Sequence, residues 1–479
     1  MKKKYLFIST IGCQMNVYDS EKTAKVLTPL GYTITSSMNK ADLIILNTCS
    51  IREKAEHKVF SFLGRLSNLK RNNPNLIIGV GGCVAQQEGK KILQRVPHTD
   101  LVFGTHAIPR LPEIIKQLEK KRHKVVDIDM LETIVETEPV ADNNDKEKSS
   151  GFVTIMQGCE NYCTYCVVPY VRGVEISRKP DNIIQEIKSL VKHGAKEVTL
   201  LGQNVNSYGK KEKLCSFSEL LAMINKIDEL SRIRFTTSHP KDLSNDLVAC
   251  FKNLPKLCNH IHLPVQSGSN NILKKMNRAY TKELYLDKID RLRKICPDIA
   301  ITSDIIVGFP GETDADFNET VSLIKQVEYD GLFAFIYSDR PNAPASSFPK
   351  KVSQQTKKNR LQHILELQSI YTLKKNRALT GSTVPVLVEG LSKMQNKKHL
   401  TNSMNSLQWT GRTTTNKIVN FTNEDSQINI DTNKLSENIF NGMLLDIKIE
   451  KAFSHSLWGK PVFNKKGPHE IKGEKSYAA

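Results

Sequence analysis

Short apolar runs alternate with helical segments along most of the first 340 residues of this chain. In residues 1–120 the runs YLFIST, DLIILNT, NLIIGVGG and LVFG each precede a segment with helical periodicity. Continuously apolar strands that alternate with helices are typical of a parallel sheet covered by helices on both faces. The pattern therefore predicts an α/β protein whose residues 1–120 form a Rossmann-like parallel-sheet domain.

Three cysteines follow the first three of these predicted strands. Cys13 comes after the first strand, Cys49 after the second and Cys83 after the third. The carboxyl ends of parallel strands lie along one edge of the sheet, which is where open α/β sheets bind their ligands. We therefore expect the three thiols to lie close together. The alternative is three unrelated buried cysteines, because free cysteine is commonly buried.

The remaining chain divides into four further parts that differ in polarity and in hydrophobic periodicity. Residues 121–150 are polar and lack periodicity, which predicts a linker. A second series of strands and helices over 151–379 predicts a parallel (βα) barrel, closed or partly open, with functional residues at the carboxyl ends of its strands. Short alternating strands over 380–455 indicate a small all-β module, and the Lys- and Gly-rich residues 456–479 a basic tail.

Three more cysteines lie within eight positions in the stretch GCENYCTYCVVPYVRG. The spacing of Cys159, Cys163 and Cys166 is C-x3-C-x2-C, which differs from the paired patterns of zinc sites, and no fourth ligand follows nearby. Thiolates favour zinc or iron–sulfur clusters. Three ligands on a four-iron cluster leave one iron open to chelate the amino and carboxylate groups of S-adenosylmethionine. A zinc knuckle or three buried thiols are the alternatives.

This stretch, together with several others, resembles the radical S-adenosylmethionine methylthiotransferase family. The other stretches are GCQMN, NTCSIREKAEHK, GGCVAQQ, LLGQNVNSYG, HLPVQSGSN and DIIVGFPGET, and the likeness extends from residue 4 to about residue 455. The resemblance implies a radical-SAM partial barrel followed by a TRAM module. It also implies two 4Fe-4S clusters. One, on Cys159, Cys163 and Cys166, would bind S-adenosylmethionine, and an auxiliary one would be held by Cys13, Cys49 and Cys83.

The resemblance also implies a reaction and a set of partners. Members of the closest branch methylthiolate C2 of N(6)-dimethylallyladenosine at tRNA position 37, and the expected substrate is tRNA that carries this nucleoside. One S-adenosylmethionine would methylate the sulfur and another would supply the radical. An electron donor such as flavodoxin or ferredoxin, and a sulfur carrier, would serve the reaction. The alternatives are the same chemistry on N(6)-threonylcarbamoyladenosine, or a tRNA-binding protein whose clusters are only structural.

Four residues of the second series are candidates for contacts with S-adenosylmethionine. Gln203, Asn204 and Gln266 each come just past a predicted strand, and Gly308 opens the stretch GFPGE. Such residues also cap turns, and glycine also serves tight turns for its backbone freedom. The sequence therefore leaves both roles open for these four positions.

The charge of the chain favours a polyanionic partner. Lys and Arg number 69 against 50 Asp and Glu, which gives a formal net charge of +19. With no window near the roughly 20 apolar residues that a membrane span needs, nucleic acid is favoured over lipid. The N-terminal apolar run is too short for a signal peptide, and ten cysteines without a disulfide pattern fit a reducing compartment. We expect a cytoplasmic protein with no membrane partner.

Overall fold

A computed structural model describes residues 3–49, 53–131, 133–134, 148–392, 407–422 and 440–462. These residues form a parallel sheet with helices on both faces, a partly open parallel barrel and a small closed β-barrel. Within these ranges, no helix is both long enough and apolar enough to cross a lipid bilayer.

The N-terminal domain is a six-stranded parallel sheet in the order β2-β1-β3-β4-β5-β6. Its strands are β1 (Lys4–Ile11), β2 (Tyr32–Ile34), β3 (Leu43–Thr48), β4 (Ile77–Gly82), β5 (Leu101–Phe103) and β6 (Val125–Asp127). Its helices are α1 (Gln14–Leu27), α2 (Glu53–Asn72), α3 (Cys83–Glu88), α4 (Lys90–Arg95) and α5 (Leu111–Lys120). Two separate apolar clusters pack against this sheet. The prediction of a parallel sheet covered by helices is confirmed.

The predicted linker over 121–150 is wrong at its beginning. Strand β6 lies inside this range and pairs in parallel with β5, from Leu101↔Val125 to Phe103↔Asp127. A strand of three residues is too short to show a period, and it forms because the edge of β5 offers unpaired backbone groups. Residues 135–147 of the predicted linker lie outside the described residues.

The central domain contains two parallel three-stranded sheets, in the orders β11-β10-β7 and β12-β13-β14, and one antiparallel pair, β8-β9. The strands are β7 (Ser150–Thr154), β8 (Met156–Gln157), β9 (Ile176–Ser177), β10 (Glu197–Leu201), β11 (Arg232–Thr236), β12 (His260–His262), β13 (Ala300–Val307) and β14 (Gly331–Ile336). The helices are α6 (Val168–Arg172), α7 (Pro180–Lys192), α8 (Phe217–Asn225), α9 (Asn245–Asn253), α10 (Asn270–Lys275), α11 (Lys282–Ile295), α12 (Asp314–Val327) and α13 (Gln354–Arg377). Six parallel strands in two groups confirm the partly open barrel.

Helical periodicity explains how these helices cover the barrel. In α7, Ile183, Ile187 and Val191 recur every four residues, so they share one face, and all three are buried in the core of the domain. Helix α12 begins at a capping box, in which the Thr313 side chain accepts a hydrogen bond from the backbone N–H of Asp316 and the Asp316 carboxylate accepts one from the backbone N–H of Thr313. Buried apolar helix faces and capped helix N-termini hold the helices against the barrel, and so fix the ends of its strands.

The C-terminal residues form a closed five-stranded barrel in the order β15-β16-β17-β19-β18. Its strands are β15 (Thr383–Leu391), β16 (Gln408–Thr413), β17 (Ile418–Thr422), β18 (Leu444–Ala452) and β19 (Leu457–Pro461). The core includes Trp409 and Phe421, which are fully buried. The prediction of a small all-β module is confirmed.

The predicted basic tail over 456–479 is wrong in its first residues. Strand β19 pairs in parallel with β17 and antiparallel with β18, and so closes the barrel. The strand is short and half polar, so its sequence carries little strand signal. It forms because both neighbouring strands would otherwise present an unpaired edge. Residues 463–479 of the predicted tail lie outside the described residues.

Two arginines of β11 hold the C-terminal barrel against the central domain. The guanidinium of Arg232 donates to the carbonyl oxygens of Arg412, at 2.7 Å, and Pro385, at 3.0 Å. Arg234 donates to the carbonyl oxygen of Thr413 at 2.5 Å. Because Arg232 is the first residue of β11, the barrel lies at the amino ends of the strands, opposite the carboxyl ends.

Candidate active site

The structure brings together the three cysteines of the N-terminal domain, here called the N-terminal triad. Cys13 caps α1, Cys49 directly follows β3 and Cys83 is the first residue of α3. The Cys49 thiol is hydrogen-bonded to both of the others, which raises the pKa of Cys49. The hydrogen bond to Cys49 and the positive charge of Arg172 lower the pKa of Cys13 to about 6 and that of Cys83 to about 7. Burial acts in the opposite direction but is outweighed. These two thiols are therefore prepared to bind as thiolates.

Two buried asparagines brace the N-terminal triad. The Asn16 side chain accepts a hydrogen bond from the Cys13 backbone N–H at 3.2 Å and donates to the Asn47 side chain at 3.2 Å. Asn47 returns a hydrogen bond to the Asn16 carbonyl oxygen at 2.9 Å. Since Asn47 lies two residues before Cys49, the pair ties the turn at Cys13 to the end of β3.

The second set of cysteines, the central triad of Cys159, Cys163 and Cys166, lies on the loop after β8. Gly158 precedes it with a φ of 79°, and a Cβ there would lie 1.9 Å from the carbonyl oxygen of Val174, so only glycine fits. Burial raises the pKa of Cys159, and burial together with the Cys163 and Cys159 thiols raises the pKa of Cys166 to about 12. The backbone N–H of Cys166 donates to the Cys163 carbonyl oxygen at 2.9 Å, so the loop turns tightly between these two cysteines.

Hydrogen bonds are aimed at the sulfurs of the central triad. The Asn161 side-chain amide donates to Cys159 Sγ at 3.3 Å, and the backbone N–H of Val168 donates to Cys166 Sγ at 3.4 Å. Arg278 Nη1 donates to Cys163 Sγ at 3.5 Å. Donors around a sulfur stabilise its thiolate form, which is the form that binds metal.

Helix α6 connects the two triads. It begins two residues after Cys166, and its Val171 packs with Cys83 of the N-terminal domain in one apolar cluster. The last residue of α6, Arg172, is buried and forms an ion pair with Asp19 of α1 at 2.7 Å. One short helix therefore fixes the position of each triad relative to the other.

Iron–sulfur clusters fit the donors that are present. No group of three or more His, Cys, Asp or Glu side chains in the described ranges is arranged to hold a single metal ion. A four-iron cluster differs, because each thiolate binds a different iron and the ligands surround the cluster instead of meeting at one point. Each triad offers three thiols beside buried donors or a buried guanidinium, which suits an anionic iron–sulfur centre.

Two of the four candidate cofactor residues have features of a binding site. Gln203 follows β10, and its Oε1 is buried without a hydrogen-bond partner among the described residues. Such an orphaned acceptor is costly unless a ligand or water satisfies it. Gln266 has a φ of 73°, a strained value for a residue other than glycine, while its backbone bridges Ile305 of β13. Both remain predicted contacts for S-adenosylmethionine.

The other two candidates have structural partners of their own. The Asn204 side chain donates to Asp242 at 2.8 Å and accepts from the His239 backbone N–H at 3.0 Å, so it braces the loop after β11. Gly308 has a φ of 71°, and a Cβ there would lie 2.3 Å from Lys357 of α13. These contacts account for the residue type at both positions, and a role in cofactor binding remains a prediction.

Arg278 and Asn16 contact the triads and Asn47 braces Asn16, but none of the three was predicted from the sequence as a functional residue. Asn16 and Asn47 lie within three residues of a cysteine, in the stretches GCQMN and LNTC, and this proximity was an available signal. Arg278 lies more than one hundred residues from Cys163 in the chain, and nothing in its local sequence indicates a contact with sulfur.

The chain is similar to known proteins along nearly its whole length. Residues 5–104 match the family described as uncharacterized protein family UPF0004, and residues 153–324 match the radical SAM superfamily. The tRNA-2-methylthio-N(6)-dimethylallyladenosine synthase of Desulfosudis oleivorans is 50% identical over 460 residues, which cover 96% of this chain and 97% of that protein. The protein of the same name from Syntrophus aciditrophicus is 51% identical over 461 residues, 96% of this chain and 95% of that protein.

The chain belongs to the tRNA-2-methylthio-N(6)-dimethylallyladenosine synthase family. The synthase of Clostridium tetani, 48% identical over 96% of this chain and 97% of its own length, extends the match to another genus. The N-terminal triad lies within the first matched region and the central triad within the second.

Solved structures share the fold with this synthase-family chain. The radical S-adenosylmethionine methyltransferase TsrM from Kitasatospora setae superimposes with a TM-score of 0.55 at 12% identity, over 72% of this chain and 75% of that one. The cobalamin-dependent S-adenosylmethionine radical enzyme OxsB gives a TM-score of 0.51 at 13% identity, over 77% and 56% of the two chains. At these identities the likeness is one of fold.

Proposed function

We propose that this chain is a methylthiotransferase that modifies C2 of N(6)-dimethylallyladenosine at position 37 of tRNA. The observation that carries the proposal is the end-to-end match, near 50% identity, with synthases of that name. The enzyme uses S-adenosylmethionine and 4Fe-4S clusters. The two triads supply six cysteine ligands, in the two regions of the chain that the family descriptions cover.

Each triad has a separate role in the proposal. Cys159, Cys163 and Cys166 would hold the cluster that binds S-adenosylmethionine, and the N-terminal triad would hold the auxiliary cluster. When bound, these groups supply the electron that cleaves S-adenosylmethionine and the sulfur that is inserted. With three protein ligands each, both clusters would keep one iron without a cysteine ligand. That iron would bind S-adenosylmethionine in the central cluster and the sulfur to be inserted in the auxiliary cluster.

The residues around the triads would orient the reactants. Gln203 Oε1 is a buried acceptor without a partner in the described part of the chain, and an amino or hydroxyl group of S-adenosylmethionine would satisfy it. Gln266, in the segment after β12 that bridges to Ile305 of β13, would hold the same molecule from the other sheet of the partial barrel. Helix α6 packs on both domains, so it would fix the distance over which sulfur is delivered.

The C-terminal barrel would act as the RNA-binding TRAM module. The formal charge of +19 supports a polyanionic substrate, since contacts of Lys and Arg with phosphates supply much of RNA affinity. Proteins read single-stranded loops by splaying a base out of its stack, and this would bring the target adenosine to the carboxyl ends of the strands.

A flavodoxin or ferredoxin would supply electrons, a sulfur carrier would replace the inserted sulfur, and the reaction would take place in the cytoplasm. The domains assigned to these tasks are residues 1–120, 151–379 and 380–455, extended to include β6 and β19.

Nucleoside analysis of tRNA tests the substrate. A deletion strain should lose 2-methylthio-N(6)-dimethylallyladenosine, and the intact gene should restore it. If that nucleoside persists and its threonylcarbamoyl counterpart disappears, the proposed substrate is wrong.

Cofactor cleavage tests the class of the protein. Anaerobically reconstituted protein with dithionite should release 5′-deoxyadenosine from S-adenosylmethionine. Cys163→Ala should abolish this product and keep RNA affinity, whereas Cys49→Ala should cleave the cofactor and insert no sulfur. RNA affinity without any 5′-deoxyadenosine from the wild type would instead support a tRNA-binding protein with structural clusters.

A further inference from the structure

Arg278 is a buried cation that contacts a sulfur of the central triad. Its Nη1 donates to Cys163 Sγ at 3.5 Å, its Nη2 to the Pro264 carbonyl oxygen at 2.7 Å and its Nε to the Tyr280 hydroxyl at 2.8 Å. The residue is 8% exposed. These three hydrogen bonds fix the plane of the guanidinium and aim one nitrogen at the sulfur.

The charge of Arg278 is not balanced by an acid in the described part of the chain. Its neighbours are thiol, phenol and carbonyl groups, and no carboxylate forms an ion pair with it. The buried Arg172, by contrast, pairs with Asp19, and the buried Arg360 pairs with Glu312 at 2.6 Å. A buried charge is costly unless it is paired, so Arg278 needs an anion, and the only group in contact with it that becomes an anion on binding metal is Cys163.

The segment that carries Arg278 also holds the cysteine loop in place. We call residues 275–278 the clamp. The Met276 carbonyl oxygen accepts from the Thr164 backbone N–H at 3.1 Å, and the Asn277 side chain donates to the carbonyl oxygens of Asn161 at 3.2 Å and Tyr162 at 3.1 Å. The clamp thus fixes the loop backbone, and Arg278 extends this hold to a sulfur.

We propose that Arg278 is a positioning residue that orients Cys163 and raises the reduction potential of the cluster on the central triad. This inference rests on the proposed function. Reduction adds one electron and no proton to the cluster, so the reduced state carries one more negative charge. A buried positive charge, and a hydrogen bond to a ligand sulfur, stabilise that state more than the oxidised one. Arg278 thereby makes electron transfer to the cluster more favourable.

A redox titration of the isolated central cluster tests the inference. The full chain with Cys13, Cys49 and Cys83 replaced by Ala retains the central triad as its expected cluster site. After anaerobic reconstitution, it is titrated with dithionite and followed by electron paramagnetic resonance, with and without Arg278→Gln or Arg278→Lys. Arg278→Gln should lower the midpoint potential. Arg278→Lys keeps the charge but not the planar group, so its shift should be smaller.

Asn277→Gly is the matched control. It removes the clamp's side-chain hydrogen bonds to the loop without touching charge or sulfur, and glycine accepts the φ of 58° at this position. Its midpoint potential should fall much less than that of Arg278→Gln. Loss of the cluster in Arg278→Gln alone, with an unchanged circular dichroism spectrum, would also support the inference, because orientation of Cys163 would then be required for assembly.

The outcomes separate the inference from the proposed function. Equal midpoint potentials in the parent, Arg278→Gln and Arg278→Lys would overturn the role of Arg278 and leave the cluster assignment intact. An equal drop for Asn277→Gly would also overturn it, since loop position alone would then set the potential. If the parent with Cys13, Cys49 and Cys83 replaced holds no iron, the assignment of the central triad fails and the inference fails with it. If Arg278→Gln does not fold, the lysine variant decides, and a potential equal to that of the parent contradicts the role of the planar group.

Discussion

Arg172 and Asp19 form an ion pair across the interface between the N-terminal and central domains, with 2.7 Å between Nη2 and Oδ2. Both side chains are nearly buried, at 4% and 10% exposure. Arg172 ends the helix that follows the central triad, and Asp19 lies on the helix that Cys13 caps. The pair therefore links the two sites on which the proposed reaction depends.

Removal of Asp19 should destabilise the protein strongly. Asp19→Asn leaves Arg172 buried without its anion, and the loss of one partner from a buried pair costs about 3–5 kcal/mol. Lys148, just before β7, forms an ion pair of 2.8 Å with Glu21 of α1, but this pair is largely exposed, so Glu21→Gln should cost less than about 1 kcal/mol. Urea unfolding followed by circular dichroism measures both, and equal losses would contradict the role assigned to the buried pair.

Asn16 should be needed to keep the N-terminal triad assembled. Asn16→Ala removes its hydrogen bonds to the Cys13 backbone and Asn47, and each buried partner left unpaired costs about 1–3 kcal/mol. We expect this variant to release iron from the proposed auxiliary cluster to a chelator faster than the wild type, while its cleavage of S-adenosylmethionine is unchanged. Asn68→Ala, on the surface helix α2, is the control. An iron release rate equal to that of the wild type would count against the brace.

The sequence predicted the assembly of the N-terminal triad because its elements are regular. Cys13, Cys49 and Cys83 each follow a continuously apolar strand, and parallel topology alone places such positions along one edge. The partly open barrel and the C-terminal module were predictable for the same reason, since each repeats one local pattern. Local periodicity is enough to predict these strands and helices, because their formation does not depend on a particular tertiary contact.

Tertiary contacts determine the features that the sequence did not predict. Arg278 reaches Cys163 only because the clamp folds back onto the cysteine loop. Strands β6 and β19 form because neighbouring strands offer unpaired edges, although their own sequences are short or polar. The partners of Asn204 likewise come from the loop after the next strand, at Asp242 and His239. Contacts between segments that are distant in the chain leave no periodic pattern to detect.

Buried His239 should make the folded state sensitive to acid. Burial, with smaller contributions from Arg278 and nearby lysines, lowers the pKa of His239 to about 2. In the unfolded chain the His239 imidazole takes up a proton at about pH 6.5, whereas in the folded chain it stays neutral at this pH. The folded state is therefore most stable above this pH and loses stability as the pH falls below it. When the pH falls from 7.5 to 5.5, the wild type should lose about 1.4 kcal/mol of unfolding free energy that His239→Asn retains. Equal losses in urea titrations at the two pH values would contradict the buried neutral imidazole.

Arg232 should control how firmly the C-terminal barrel is attached. Arg232→Gln removes two hydrogen bonds to the carbonyl oxygens of Arg412 and Pro385, at about 1–3 kcal/mol for each buried group left unpaired. Amide hydrogen exchange near these two residues should accelerate at least about 10-fold, since 1.4 kcal/mol corresponds to a factor of ten. Arg291→Gln, which removes an exposed pair with Asp287, should leave these amides unchanged. Unchanged exchange in Arg232→Gln would contradict the docking role.

Iron and sulfide content of anaerobic protein tests the two-triad account most directly. The wild type should contain about eight of each per chain, as two four-iron clusters require. Replacement of Cys13, Cys49 and Cys83 by Ala should leave about four, and replacement of Cys159, Cys163 and Cys166 should also leave about four. About four in the wild type, or about eight after either replacement, would contradict the account.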